Sequence, residues 1–318
     1  MPANDHPPSV PDAEIDRWIR RELKRAPLRA PSLVITVWGD SIAPHGGAVM
    51  LGGLIELLAP FGINERLVRT SVFRLAREGW LKARPIGRES LYRLTHDGAR
   101  RFRQAYRRIY APRDEAWNES WEIVIAAGPR GAQRRGLKEE LQWEGFGAFD
   151  SGVYARPAST ASAVPRIAAA LDLENEITVF RARDDRALGG RTLASRVPDA
   201  WDLAALTRHY REFLRRFGTV IDRFRMANKS TLDPAHAFVV RTLLIHTYRR
   251  VLLRDPQLPP ALLPFDWPGA AAYTLCRDFY RLTHRAAERH LSTTLTTSSG
   301  RLPPASADFY ERFGGLTA

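Results

Sequence analysis

Between residues 62 and 95 the chain reads GINERLVRTSVFRLAREGWLKARPIGRESLYRLT, and its apolar positions change period halfway through. Laid out at about 100° per residue, Val68, Ser71, Val72 and Leu75 fall on one side of a helix over 65–78, the side that faces a core. Arg66, Arg69, Thr70, Phe73, Arg74 and Arg77 fall on the other. Asn64 is the expected N-cap, and Glu65 complements the helix dipole. After Glu78-Gly79-Trp80 the pattern becomes that of two short strands on either side of Pro85-Ile86-Gly87, with Lys82, Arg84 and Arg88 on the hairpin or its tip. Asp97 is expected to cap a basic helix over 98–110 that packs Phe102, Tyr106 and Ile109.

Upstream, residues 1–12 read as disordered, and Ile15, Trp18, Ile19 and Leu23 predict a helix over 13–25. SLVITVWGD, from Ser32, predicts a helix that Ser32 can cap, although its β-branched residues also suit a strand. Residues 48–62 read as a further helix, with Gly52 and Gly53 allowing close packing and Pro60 and Gly62 stopping it. Downstream of a boundary at 111–114 come a strand at 121–128, a helix after Pro129, a hairpin turning at Asp150-Ser151-Gly152, a helix despite Pro165, and a strand at 176–184. This βαββαβ order predicts a ferredoxin-like sheet.

The remainder reads as helical. Leu203, Leu206, Tyr210, Phe213, Phe217, Val220 and Phe224 recur at alternating spacings of three and four. That spacing suits either a core helix or a dimer seam. A second helix, 234–254, is nearly apolar throughout, yet Arg241 falls on the stripe of Leu244, Ile245, Tyr248 and Leu252. A charge in such a stripe needs an ion pair or a ligand anion. Five prolines stiffen 255–269, a last helix covers 270–291, and the tail from Ser292 reads as loose apart from Phe309, Tyr310 and Phe313, which can dock. The fold expected is thus multidomain α+β: an extension (1–30), a winged helix-turn-helix (31–113), a ferredoxin-like domain (114–198) and a helical domain (199–318).

Charge sharpens the reading of the first third. Residues 1–113 hold 20 Lys and Arg against 11 Asp and Glu, a surplus of nine out of the chain's +13. A basic lobe on a nearly balanced body suggests a polyanionic partner. One cysteine, Cys276, excludes an intrachain disulfide framework, and neither a secretory signal nor a membrane span is legible, which suits the cytoplasm. Phosphate-binding, dinucleotide, nucleophile-elbow and zinc-protease motifs are missing, so no catalytic residue, metal ligand or cofactor is assigned. His45, His236 and His246 lack metal-ligand spacing.

Four pieces carry a resemblance: SLVITVWGD, LVRTSVFRLAREGWL, the hairpin ending YRLT, and RTLLIHTYRRVLLRDPQLPPALLPFDWPG, the most specific of them. Over roughly residues 32–291 the chain resembles the PaaX-type repressors of phenylacetate degradation. The resemblance implies a winged helix, a ferredoxin-like middle domain and a helical C-terminal domain. It also implies a homodimer on a palindromic double-stranded operator, released by an aryl-CoA thioester, phenylacetyl-CoA in the name-giving members. On that reading Arg69, Thr70, Phe73 and Arg74 contact bases, while Arg66, Arg77, Lys82, Arg84 and Arg88 grip phosphates. An acyl-CoA needs basic groups beside an aromatic slot, and Arg241, His246, Tyr248, Arg249 and Trp267 are the candidates. Two rival readings are an architectural DNA binder without a ligand and a metal-dependent nuclease using Asp184-Asp185.

Overall fold

The computed structural model describes residues 10–25, 27–111, 117–159, 161–185, 190–226 and 232–316. Of the segment expected to be disordered, residues 1–9 lie outside these, and the rest opens the first helix. Parts of the boundary expected at 111–114 and of the linker expected at 185–199 also lie outside them.

In chain order the elements are α1 (Val10–Arg25), α2 (Ala30–Val37), a π-helical turn (Trp38–Ile42), β1 (Ala48–Met50), α3 (Leu51–Leu58), α4 (Glu65–Arg77), β2 (Leu81–Ile86), β3 (Glu89–Leu94) and α5 (His96–Tyr110). Then follow β4 (Ser120–Ile125), α6 (Gly131–Trp143), β5 (Gly147–Asp150), β6 (Val153–Pro157), α7 (Val164–Ala170), β7 (Thr178–Arg183) and α8 (Val197–Ala200). The chain ends with α9 (Leu203–Met226), α10 (Pro234–Leu252), α11 (Gly269–Thr294), β8 (Thr296–Thr297), β9 (Gly300–Arg301) and α12 (Ala307–Tyr310). The architecture is mixed α+β with small antiparallel sheets. Two compact units form: Met1–Pro112 with Glu212–Arg249 and Ala270–Ala318, and Arg113–Arg211 with Arg250–Gly269.

In the first unit, β1, β3 and β2 pair in that order, with Met50 opposite Leu91 and Leu81 opposite Leu94. The helix expected over 48–62 therefore starts late, because its first three residues supply a third strand to the hairpin. SLVITVWGD is helical as expected, but its cap is Arg29, with Pro31 in the first turn, so Ser32 is already inside the helix. Gly53 is needed where it stands, since a Cβ there would lie 2.8 Å from the Thr294 carbonyl. α1 packs Trp18 on Phe217, with ring centroids 5.4 Å apart, and its Glu22 carboxylate pairs with Arg216.

In the second unit the sheet order is β5-β6-β4-β7, antiparallel throughout. Pro165 sits in the first turn of α7, where its missing N–H costs nothing. One face of the sheet meets α6 and α7 through Val124, Tyr154, Leu137, Leu141 and Ile167. Trp121 points to the other face, edge-on to Trp117 and Phe149.

All seven residues of the 3-4 pattern along α9 are buried within a single chain, from Leu203 to Phe224. The seam is core, which answers one of the two readings. The tail is not loose: Phe309, Arg312, Phe313 and Leu316 are buried, while Tyr310 stays exposed. No helix among the described residues is long and apolar enough to cross a membrane.

Candidate nucleic-acid interface

α4 buries Val68, Ser71, Val72 and Leu75, the four residues its periodicity puts inward. Arg66, Arg69, Thr70, Phe73, Arg74 and Arg77 are all exposed, Phe73 to 62%. The local causes are plain. Asn64 Oδ1 accepts from the Leu67 N–H at 3.0 Å and starts the helix. At its end Gly79 takes φ +75° and the Trp80 N–H reaches the Leu75 carbonyl at 2.9 Å.

The hairpin follows directly. Positive φ at Gly87 lets a two-residue Gly87-Arg88 turn reverse the chain, so Pro85-Ile86 ends the strand rather than forming the tip. Lys82, Arg84 and Arg88 are exposed on it. Three contacts fix the hairpin to α5. Trp80 stacks edge-on to Phe102 at 5.4 Å, Arg101 lies over the Trp80 ring at 4.9 Å, and Gly98 approaches so closely that a Cβ would lie 2.2 Å from the Trp80 carbonyl. Thr95, not Asp97, caps α5, accepting from the Gly98 N–H at 2.8 Å. A threonine one residue before the helix outcompetes an aspartate that already lies in the first turn.

The charges on this surface differ in their commitments. Arg69 is held by Glu65 at 2.7 Å and Arg74 by Glu78 at 2.6 Å, one helical turn away in each case. Both ion pairs are exposed, so they orient the guanidinium groups without locking them. Arg66, Arg77, Lys82, Arg84 and Arg88 have no ion-pair partner among the described residues. Thr70 donates to the Arg66 carbonyl at 2.8 Å.

The residues read as effector ligands lie elsewhere. Arg241 is fully buried, with Glu288 at 3.2 Å and Asp40 at 3.4 Å. His246 is buried and shares a 2.8 Å hydrogen bond with Thr36, Tyr248 is buried beside Phe213, and Arg249 donates to Ser32 Oγ at 3.1 Å. Trp267 belongs to the second unit, edge-on to Tyr210 at 5.6 Å.

Sequence reasoning missed the partner of Arg241. The π-helical turn carries Asp40 inward, where it accepts from Tyr110 at 2.6 Å and from Tyr280. Arg312, from the tail, donates to the Asp40 carbonyl at 2.9 Å, and its guanidinium lies 4.1 Å from the Tyr110 ring centroid. Burial and the Asp40 carboxylate push the Tyr110 phenol well above its usual pKa, so it remains a donor. His45 lies 2.9 Å from Glu288 and 2.6 Å from the Pro303 carbonyl. Burial alone would raise the Glu288 carboxyl. The hydrogen bond from His45 and the Arg241 charge outweigh burial and hold it below the usual range. The one available signal was an aspartate closing an otherwise apolar run, SLVITVWGD.

Asp184, half of the metal site considered above, accepts from the Leu193 and Ala194 N–H groups instead. No group of three metal-ligating side chains occurs among the described residues.

These features define an α+β protein with a cationic helix and hairpin on its surface, set apart from the buried arginines Arg241 and Arg312. Comparison with known proteins shows the family. Three family models match: "PaaX-like protein" over residues 29–98, "PaaX protein central Cas2-like domain" over 114–194, and "PaaX-like protein C-terminal domain" over 201–293. The chain is 35% identical over 304 residues to the transcriptional repressor PaaX of Escherichia coli (strain K12), covering 96% of each chain. Among solved structures it is similar to the uncharacterized protein Rv0674 from Mycobacterium tuberculosis, with TM-score 0.55 and 28% identity over 83% of this chain and 98% of that one. The chain belongs to the PaaX-like family, which also holds that transcriptional repressor.

Proposed function

We propose that the protein is a cytoplasmic transcriptional repressor of a phenylacetate-type degradation operon. It binds a palindromic operator as a homodimer and is released by an aryl-CoA thioester, phenylacetyl-CoA first among them. In this reading β1–β3 with α2–α5 form a winged helix, the β5-β6-β4-β7 sheet with α6 and α7 is ferredoxin-like, and the helices from α9 onward complete a third domain. The observation that carries the reading is the outer face of α4. Four arginines, a hydroxyl and an exposed phenylalanine lie on the side opposite its core stripe, next to the exposed cations of the hairpin.

Such a face suits a major groove, where guanidinium groups grip guanine bidentately. Arg69, Thr70, Phe73 and Arg74 stand nearest the middle of the helix and are assigned to bases. Arg66, Arg77, Lys82, Arg84 and Arg88 are assigned to phosphates. Release requires that the ligand favour the DNA-incompetent state, and a hundredfold loss of operator affinity needs ~2.7 kcal/mol of differential binding.

Selection from random duplexes by the full chain tests the reading. Enriched sequences should be inverted repeats with half-sites ~34–36 Å apart or a multiple of that spacing. Phenylacetyl-CoA should release them, and free phenylacetate should not. Binding without any sequence enrichment would favour an architectural role instead.

A further inference from the structure

The α10 residues lie within close packing, whereas the second unit holds an open cavity of about 840 Å³. It lies at the ends of three strands, where β4 begins at Ser120, β6 ends at Pro157 and β7 ends at Arg183. Small-molecule sites typically occupy ~300–1,000 Å³.

We propose that this cavity binds the phosphate-bearing coenzyme A portion of the effector, an assignment that rests on the effector reading above. Its cations are Arg181 and Arg183. Arg181 donates to the Ser159 carbonyl at 3.0 Å, and Arg183 donates to Ser120 Oγ at 3.2 Å. Neither has a carboxylate partner among the described residues. The cross-strand carboxylate opposite Arg181, Glu122, is taken by Arg156 at 2.8 Å. No lining residue is acidic. Each guanidinium has five N–H donors, so most of them remain for an anion.

Trp117 supplies the flat surface. Its Nε1–H donates to the Ser120 carbonyl at 2.8 Å, and its ring rests edge-on to Trp121 at 5.3 Å, so the half-buried indole is fixed before any ligand arrives. A heterocycle can stack on it while its phosphates meet the arginines. The backbone around the cavity is strained as well. Four non-glycine residues have positive φ among those described, and two are here: Gln257, at 56°, lines the cavity, and Glu119, at 61°, stands between two lining residues. Strain of this kind collects at binding sites because the surrounding fold must hold it.

Titration calorimetry on the full chain with phenylacetyl-CoA, coenzyme A, ADP and phenylacetate tests the site. The thioester and coenzyme A should bind the wild type, with ADP weaker and phenylacetate weakest. Arg181→Gln/Arg183→Gln should weaken both coenzyme A ligands at least ~10-fold. Arg181→Lys/Arg183→Lys should recover part of that loss, which a purely structural defect would not allow. Unchanged coenzyme A binding in the glutamine variant would overturn this site while leaving the effector reading intact. Binding of phenylacetate as tightly as its thioester, with none of coenzyme A, would overturn the phosphate chemistry assigned to it. No binding of any coenzyme A ligand by the wild type would overturn the effector reading and this site with it.

Discussion

The outer face of α4 and the cluster around Asp40 are both built on arginine, and they use it in opposite ways. On α4 the guanidinium groups stand in water, and their partners, where they have any, are exposed residues of the same helix. Around Asp40, Arg241 and Arg312 have no solvent exposure to speak of and are matched by carboxylates, carbonyls and tyrosines from distant parts of the sequence. Exposed cations contribute little to folding and remain available to a partner. Buried ones are committed, because each would be costly alone. Position relative to the core, not residue type, decides which arginines are open to a partner.

The sharpest way to break this contrast is Asp40→Ala. It strands two buried guanidinium groups, and stability should fall by ~3–5 kcal/mol in chemical denaturation. A loss within the scatter of ordinary surface substitutions would mean that the cluster is not a structural unit. A gentler probe is acid. The folded pKa of Glu288 is depressed, so its contribution is fully present above the unfolded carboxyl value of ~4.3 and is lost as pH falls through the lower, folded value. Denaturation at pH 7 and at pH 4 should show this decline in the wild type and a flatter dependence in Glu288→Gln.

On the exposed side the expected effects concern binding. Arg66→Ala should weaken binding to all duplexes alike and reduce the slope of log affinity against log salt by ~1. Smallest of all, Glu78→Ala frees Arg74 and should leave the melting temperature essentially unmoved. A clear drop would show that the pair is structural, contrary to its exposure.

Periodicity made the exposed half of this contrast legible. The six outward residues of α4 named from the sequence are all exposed, because a helix with one core stripe leaves little choice about its other face; the exposed Leu67 was not among them. The order of the βαββαβ strands was readable for a similar local reason. The buried half was not. Arg241 announced a need for a partner, but Asp40 is 201 residues away and lies in the π-helical turn that follows α2. Arg312 lies in a stretch whose Ser, Thr and Pro content resembles a loose tail, and it is held through an aromatic cage that forms only once the chain is folded. β1 was hidden for the same reason: three apolar residues before a helix read as its first turn until the hairpin offers them a ladder.

The central claim is that the outer face of α4 reads DNA. Fluorescence anisotropy with a labelled duplex selected by the wild type, alongside a base-substituted competitor, tests it in Arg69→Ala. The variant should melt with the wild type, lose about 5–150-fold in affinity for the selected duplex, and discriminate less against the competitor. Unchanged affinity and selectivity in a folded Arg69→Ala protein would contradict the claim.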